Sequence, residues 1–413
     1  MMPSIEEQMK VIRRGAADIV PEEELVEKLE KSRENSKPLR VKLGLDPTAP
    51  DIHVGNAVPL HKLRDFQDLG HHAVLIIGDY TATVGDPSQQ NELRPQLSHD
   101  EVMEHARTYL DQVGKIVDLE DAEIVENGEW FAEMGLADVI ELAAKLTVSR
   151  CLERDDFRQR LDAAQPVHLH EMLYPLMQAY DSVMVESDVE LGGTDQIFNI
   201  LLGRDLQREV GQPPQVALTN PLLEGLDGTQ KMSKSKGNYI GINEEPANIY
   251  GKAMSVPDDL MEKFYVLTTD LPMSRIKELL SDDVHPRDAK AELAGAIVRR
   301  YYDEEAAEEA AEEFNRVFRE RQLPTDMPEV VVPEEDIKEG QRVWLPGLVR
   351  LAGCADSNSQ ARRLIQQGGV SVGPDAESLE VIRERNAEPH VEEGWILKVG
   401  KKRFFQISLP DGN

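Results

Sequence analysis

RVKLGLD (residues 40–46) and HAVLIIGD (residues 72–79) are two apolar runs of strand length, separated by a polar loop and a helical stretch from Gly55 to Gly70. The second run is continuous rather than alternating, as a strand covered on both faces requires. Strand, helix and strand in this order make a parallel unit, because parallel neighbours need a crossover connection. The pattern predicts an α/β fold with a Rossmann-like, doubly wound parallel sheet. In such sheets ligands lie beyond the carboxyl ends of the strands. Polar clusters occupy those places, at 46–56 after the first run and at 79–88 after the second.

Working outward, residues 1–38 read as a helical lead-in, in which PEEELVEKLEKS carries acid in its first turn, favourable to the helix dipole. Residues 98–165 read as mostly helical with one strand at AEIVENGEW, and 120–165 reads as an insertion. HEMLYPLMQAYDSVM (170–184) has helical spacing. VESDVELGGTDQ follows as a strand and a glycine turn, and VALTNPLL (216–223) as a further strand leading to a Gly- and Lys-rich loop. The expected division is a catalytic domain at 1–235, a helical domain at 236–325, a Pro-rich linker at 326–342 and a small α+β module at 343–413.

Composition narrows the function class. The chain has 413 residues, of which 40% are apolar, so a sizeable core is available. It contains no apolar run of about 18 residues, so no transmembrane span or membrane partner is expected. The first residues lack the apolar stretch of a secretory signal. Cys151 and Cys354 are the only cysteines and form no CxxC, which fits a reducing cytoplasm. His168 and His170 in HLHE have no third ligand close by in sequence, so no protein-held metal is expected. Net charge is −31, which at first sight disfavours a nucleic-acid partner. The distribution matters more. From Gly340 onward there are 10 Lys+Arg against 9 Asp+Glu, whereas the rest has 36 against 68. The acidic excess fits either an ordinary acidic protein or a salt-adapted surface.

Three constellations carry chemistry. His53-Val54-Gly55-Asn56 lies between the first strand and its helix, where Gly55 admits close approach of a nucleotide and the helix N-terminus favours phosphate. Lys231-Met232-Ser233-Lys234-Ser235 is a rare basic cluster in an acidic region, able to close on a polyphosphate. Tyr174, Gln178 and Asp181 share one helix face, a polar stripe that needs either an internal network or a ligand with an ammonium and a hydroxyl.

The early HxGx turn and the later KMSKS together resemble the signatures of class I aminoacyl-tRNA synthetases. YxxxQAYD followed by GGTDQxxN, with GLDPTAPDIHVGN and GDxTxxVGDPS, is similar to the tyrosyl-tRNA synthetase family, in its branch with KMSKS rather than KFGKT. The resemblance implies ATP, with Mg2+ as its substrate complex, L-tyrosine and tRNA(Tyr) as partners, and a homodimer joined through the insertion. It also implies residue roles. Asp181 would accept from the tyrosine hydroxyl. Tyr174, Gln178 and Asp86 would hold the ammonium, with Thr81 nearby and Gln196 on the carboxylate side. Gly193 and Asp195 would meet the ribose, and Asp46 and Gly55 the adenylate. His53, Asn56, Lys231 and Lys234 would act on the phosphates. SNSQARRLIQQGGVSVG and WILKVGKKRFFQI resemble an S-four-like RNA-binding module, which implies RNA contacts from Arg362, Arg363, Lys401, Lys402 and Arg403, with Phe404 for stacking. The helical domain would then bind the anticodon.

Three positions depart from the family pattern. Asn56 replaces the second His of HxGH, Lys42-Leu43 replace Tyr-Cys, and Gln89-Gln90 replace a Gly and a basic residue after GDPS. The alternatives are another class I synthetase, above all the tryptophanyl enzyme, and a catalytically idle RNA-binding paralogue.

Overall fold

The computed structural model describes residues 2–47, 51–87, 98–318, 323, 327–376, 378–400 and 403–410. It divides into two compact units, 1–307 and 308–413.

The first unit is built on a six-stranded sheet. Its strands are β1 (Asp18–Val20), β2 (Arg40–Leu45), β3 (His72–Ile77), β4 (Ala122–Glu126), β5 (Val189–Gly193) and β6 (Val216–Asn220). Their order is β1-β6-β5-β2-β3-β4. All neighbours are parallel except β1, which caps β6 antiparallel with Ile19 opposite Leu218. The central strands are covered on both faces: Ala73 to Ile77 and Val216 to Asn220 are all buried.

Helices α1 (Ile5–Arg13) and α2 (Glu22–Asn35) flank β1, and α3 (Val54–Asp68) crosses from β2 to β3. A short turn α4 (Thr81–Val84) and α5 (His99–Val113) lead to β4. Between β4 and the next long helix lie α6 (Gly128–Phe131), α7 (Leu136–Ala143), α8 (Val148–Cys151) and α9 (Asp155–Asp162). Helix α10 (Leu169–Met184) packs along α11 (Ile197–Glu209). After β6 come α12 (Pro246–Ala253), α13 (Met261–Thr268), α14 (Met273–Leu279) and α15 (Pro286–Tyr301). Helix α16 (Glu304–Phe318) spans the division between the units.

The second unit holds β7 (Glu329–Val331), β8 (Ile337–Lys338), β9 (Arg342–Val343), α17 (Leu345–Leu351), α18 (Asn358–Gln366), β10 (Val370–Gly373), β11 (Glu380–Val381), β12 (Ile396–Val399) and β13 (Arg403–Ser408). Five strands form one sheet in the order β11-β10-β12-β13-β7. Val330, Leu345, Leu348, Ile365, Val370, Leu397 and Ile407 contribute to its core.

Three expectations need correction. The lead-in at 1–38 is not wholly helical, because three residues of β1 are too few to show a strand period. The segment at 120–165 is not an insertion from its first residue, because β4 pairs with β3 and belongs to the main sheet. The Pro-rich stretch at 326–342 is not merely a linker. Its β7 pairs parallel with β13, Val330 opposite Ile407, so the second unit's sheet uses it. Prolines bound that strand, which tolerates them because it lies at a sheet edge.

Candidate active site

The chain runs from β2 to β3 on one side and from β5 to β6 on the other, so the carboxyl ends of β2 and β5 are the topological switch point. Asp46 follows β2 there, and Gly193-Thr194-Asp195-Gln196 follows β5. Asp46 accepts from Thr81 Oγ1 at 2.9 Å and from the Tyr174 hydroxyl at 2.7 Å. A side chain at Gly78 would sit 2.0 Å from Asp46 Oδ1 and 2.3 Å from Thr81 Oγ1, so only glycine leaves this pair its space. Burial pushes the Asp46 carboxyl up to about 6, against the lowering effect of these two hydroxyls. Tyr174 spends its proton on Asp46, which leaves its oxygen lone pairs as acceptors.

Asp181 lies on the buried face of α10, 4% exposed. Its two oxygens accept from Asn127 Nδ2 at 3.2 Å and Trp130 Nε1 at 3.0 Å. Asn127 also donates to Thr81 Oγ1 at 3.0 Å, so Asp181, Asn127, Thr81, Asp46 and Tyr174 form one continuous network. Burial raises the Asp181 carboxyl to about 7, while the Lys42 ammonium and the donors from Asn127 and Trp130 pull the other way. Asn127 and Trp130 were not singled out from sequence. Their signal was position: a polar residue and an aromatic N–H donor just past an apolar strand, at the ligand end of the sheet.

Lys42 departs from the family's Tyr at this place, and its surroundings show what it does instead. It is wholly buried, and its ammonium donates to Gln178 O at 2.9 Å, Ser182 Oγ at 2.8 Å and Glu190 Oε1 at 3.0 Å. An ammonium has three donors. All three are used, so Lys42 has none left for a substrate hydroxyl. Gln178 Nε2 donates to Glu190 at 3.0 Å, and Gln196 Nε2 donates to Asp86 Oδ2 at 2.8 Å. Tyr174, Gln178, Asp181, Thr81, Asp86, Gln196 and Asp46 therefore converge on one end of the crevice.

The other end is cationic. His53 caps α3, its Nδ1 accepting from Asn56 N at 3.2 Å. Burial, together with Lys231 and Lys234, lowers the imidazole to about 4, so it is neutral at pH 7 and carries its proton on Nε2. Gly55 packs against this ring, since a Cβ there would lie 3.1 Å from Nδ1 and 3.6 Å from Met232 Cβ. Met232 is buried and holds the KMSKS loop, whose Ser233 N donates to Asn238 Oδ1 at 2.8 Å. Asp227, lowered to about 2 by the Gln230 and Thr229 amides and Asn238, braces the same turn. Lys231 pairs with Asp195 and Lys234 with Asp51, each at 2.8 Å. Asn56 is exposed, and among the described residues its side-chain amide has no hydrogen-bond partner.

In the second unit, Arg362 lies 5.3 Å over the Trp344 ring and donates to Asn386 at 2.9 Å, while Arg363 and Arg403 are exposed. Lys401 and Lys402 lie outside the described residues. Phe404 is buried beneath Lys398, whose ammonium is 4.9 Å from the ring centre, so it does not offer the free face expected for stacking. Among the described residues no group of three His, Cys, Asp or Glu is arranged to hold a metal ion. No helix among them is long and apolar enough to cross a membrane.

Comparison with known proteins agrees with this geometry. Residues 34–319 match the model of class I tRNA synthetases for tryptophan and tyrosine. A tyrosine–tRNA ligase of Moorella thermoacetica is 52% identical over 97% of this chain and 95% of its own length. Another, from Carboxydothermus hydrogenoformans, is 52% identical over 98% of both. The Archaeoglobus fulgidus tyrosyl-tRNA synthetase solved with L-tyrosine superposes with a TM-score of 0.60 at 25% identity, covering 75% of this chain and all of that one. A crevice with one carboxylate-rich end and one cationic end, on a parallel sheet shared with these relatives, identifies the chain as a class I aminoacyl-tRNA synthetase of the tyrosine–tRNA ligase family.

Proposed function

We propose that the network around Asp181 is the tyrosine pocket and that the lysine-bearing end of the crevice takes the phosphates of ATP. The observation that carries the reading is the buried Asp181 carboxylate, which accepts from two neutral donors, Asn127 and Trp130, with no cation at hydrogen-bond range among the described residues. It is an acceptor awaiting a hydroxyl. A site built this way rejects an analogue without the hydroxyl, because its own polar group is left unpaired, a rule for which tyrosine-specific synthetases are themselves the standard illustration. A tryptophan side chain would present an indole where the carboxylate expects a phenol.

The ammonium of tyrosine would lie among Tyr174 Oη, Gln178 Oε1 and Asp86, with Gln196 toward the carboxylate. Asp195 and Gly193 would face the ribose. The tyrosine carboxylate attacks the α-phosphorus, pyrophosphate leaves, and a hydroxyl of the terminal adenosine of tRNA(Tyr) then displaces AMP. The chain's own part is positioning and charge stabilisation. His53 Nε2–H and the two lysines would donate to phosphate oxygens, and Mg2+ would arrive with ATP.

The second unit and the helical segment at 236–325 are proposed as tRNA-binding parts, the former through Arg362, Arg363, Lys401, Lys402 and Arg403. The stretch from Gly340 onward, with 10 Lys+Arg against 9 Asp+Glu in a very acidic chain, supports this. A homodimer joined through the segment after β4 is proposed as well. Leu136 and Ile140 stand one turn apart on α7 at 77% and 60% exposure, with Val148, Leu161 and Leu169 also exposed, an apolar patch that a partner would cover. Two buried free thiols suit a cytoplasmic site of action.

The deciding experiment is ATP–pyrophosphate exchange with each of the twenty amino acids, at low and high salt. Exchange with tyrosine alone is expected; exchange with tryptophan, or with none, overturns the reading. Deleting residues 308–413 is expected to spare exchange and abolish charging of tRNA.

A further inference from the structure

The two glutamines of the pocket are tied together by a hydrogen-bond chain that the reaction itself does not require. Arg154, which immediately precedes α9, donates from Nη1 to Asn199 Oδ1 at 2.8 Å. Asn199 Nδ2 then donates to Gln178 Oε1 at 2.9 Å and to Gln196 Oε1 at 3.0 Å. Gln178 Nε2 ends on Glu190 and Gln196 Nε2 on Asp86. Every bond points the same way, from a guanidinium to two carboxylates.

That direction has a physical cause. The oxygen and nitrogen of an amide have nearly the same shape, so only partners decide which way it faces. A guanidinium can only donate, and an ionised carboxylate can only accept. With a donor at one end and acceptors at the other, a single polarity satisfies the whole chain. Reversing Gln178 would set its NH2 against that of Asn199 and its oxygen against Glu190. Arg154 is well anchored for this. It is 5% exposed, donates twice to Asp156 at 3.0 Å, and lies over the Phe157 and Phe198 rings at 4.9 and 5.9 Å. At the far end, Glu190 is fixed by Lys42, Ser182 and Gln215.

We propose that Arg154 and Asn199 are positioning residues which lock the Gln178 amide with its oxygen toward the substrate, and thereby set recognition of the tyrosine ammonium. The inference rests on the reading of Gln178 as an ammonium ligand. A carbonyl oxygen has two lone pairs; one takes Asn199, and the other is presented to the ligand. A Gln178 in the opposite orientation would turn N–H donors on a cation.

The test uses the full chain and two inhibitors of tyrosine-dependent exchange. Tyramine keeps the ammonium and lacks the carboxylate; 3-(4-hydroxyphenyl)propionate keeps the carboxylate and lacks the ammonium. In Asn199→Asp the side chain can no longer donate to either glutamine. Tyramine inhibition is expected to weaken about ten- to a hundredfold, the worth of one hydrogen bond to a charged group. Inhibition by the propionate should weaken less, through the donor lost at Gln196, and the KM for ATP should stay near wild type. Arg154→Gln, which can face either way, should weaken tyramine in the same sense but less. Arg154→Lys, again a pure donor, should restore it. Equal loss of both inhibitors, joint loss of tyramine and ATP binding, or Arg154→Lys no better than Arg154→Gln overturns the proposal. Gln178→Ala separates the two levels. If it spares tyramine, the ammonium reading falls and the relay with it. If it loses tyramine while Asn199→Asp does not, the relay alone falls.

Discussion

The two ends of the crevice are built from the same kinds of groups, carboxylates and cations, yet in opposite surroundings. At the end proposed for tyrosine, Asp181, Glu190 and Lys42 are almost wholly buried and each is hydrogen-bonded to more than one partner. At the end proposed for the phosphates, the Lys231 and Lys234 side chains are 33% and 24% exposed, and the carboxylate paired with Lys234, Asp51, is 54% exposed. Charges in a low-dielectric site interact strongly and are costly to leave unpaired, whereas half-exposed pairs are worth little and exchange partners readily. The buried end is therefore suited to discrimination. The wetter end is suited to release one anion, a carboxylate, and take another, a phosphate.

The sharpest way to break this contrast is Asp181→Ala. It removes a charged acceptor and strands the donors of Asn127 and Trp130. A loss of about 4 kcal/mol, on the order of a thousandfold in kcat/KM for tyrosine, follows from a charged hydrogen bond plus stranded buried donors. Phenylalanine should be activated nearly as well as tyrosine by this variant. Steady-state exchange with both amino acids decides it, and a loss below tenfold would mean that the hydroxyl does not meet Asp181.

Next comes the cationic end. Lys231→Ala and Lys234→Ala should each lower kcat by about a hundredfold, as removal of one donor from a developing anion does. The KM for tyrosine should hardly move. Raising ionic strength should raise the KM for ATP and leave that for tyrosine, because only the exposed pairs are screened. Equal salt dependence of the two constants would erase the distinction drawn between the ends.

A smaller effect separates them by pH. Asp181 titrates near 7 and Asp46 near 6, whereas His53, lowered to about 4, stays neutral over this range. From pH 8 to 6 the activity with tyrosine should fall about tenfold per pH unit below the Asp181 midpoint, the limiting slope for one ionisation. The KM for ATP should stay nearly flat. Stability runs the other way. A carboxyl whose folded value is raised above the ordinary 3.8 contributes stability that is present below that value and lost as pH rises through about 7. Wild type should therefore gain Tm from Asp181 on going from pH 8 to 6 while losing activity, which thermal melts can check.

Much of this was legible in the chain. The run HAVLIIGD marked a covered strand because nothing in it alternates, and Tyr174, Gln178 and Asp181 marked a polar helix face because they fall one turn apart, a face whose side chains all make hydrogen bonds to other parts of the first unit. What was hidden depended on distance in sequence. Asn127 and Trp130 reach Asp181 across more than fifty positions, and Arg154 reaches Asn199 across 45. No local period announces such pairs. Lys42 was legible only as a departure, since its sense comes from Glu190 on the neighbouring strand. β1 and β7 were missed because three residues give no alternation, and their partners, β6 and β13, lie far along the chain.

The smallest prediction concerns Asn56, the other departure. Its backbone N–H donates to the capping ring of His53, and that contact is independent of the side chain. The amide itself projects from the first turn of α3 into solvent, on the side of the helix end that favours anions. Asn56→His would restore a ring at an exposed position, where no buried partner fixes it. The expected gain in kcat is no more than about threefold, within the range of a single exposed neutral hydrogen bond. Rapid-quench measurement of adenylate formation would show it. A gain above tenfold would mean that the side chain at this position reaches the phosphates during the reaction, and that the wetter end, like the dry one, depends on a specific donor rather than on mobile charge.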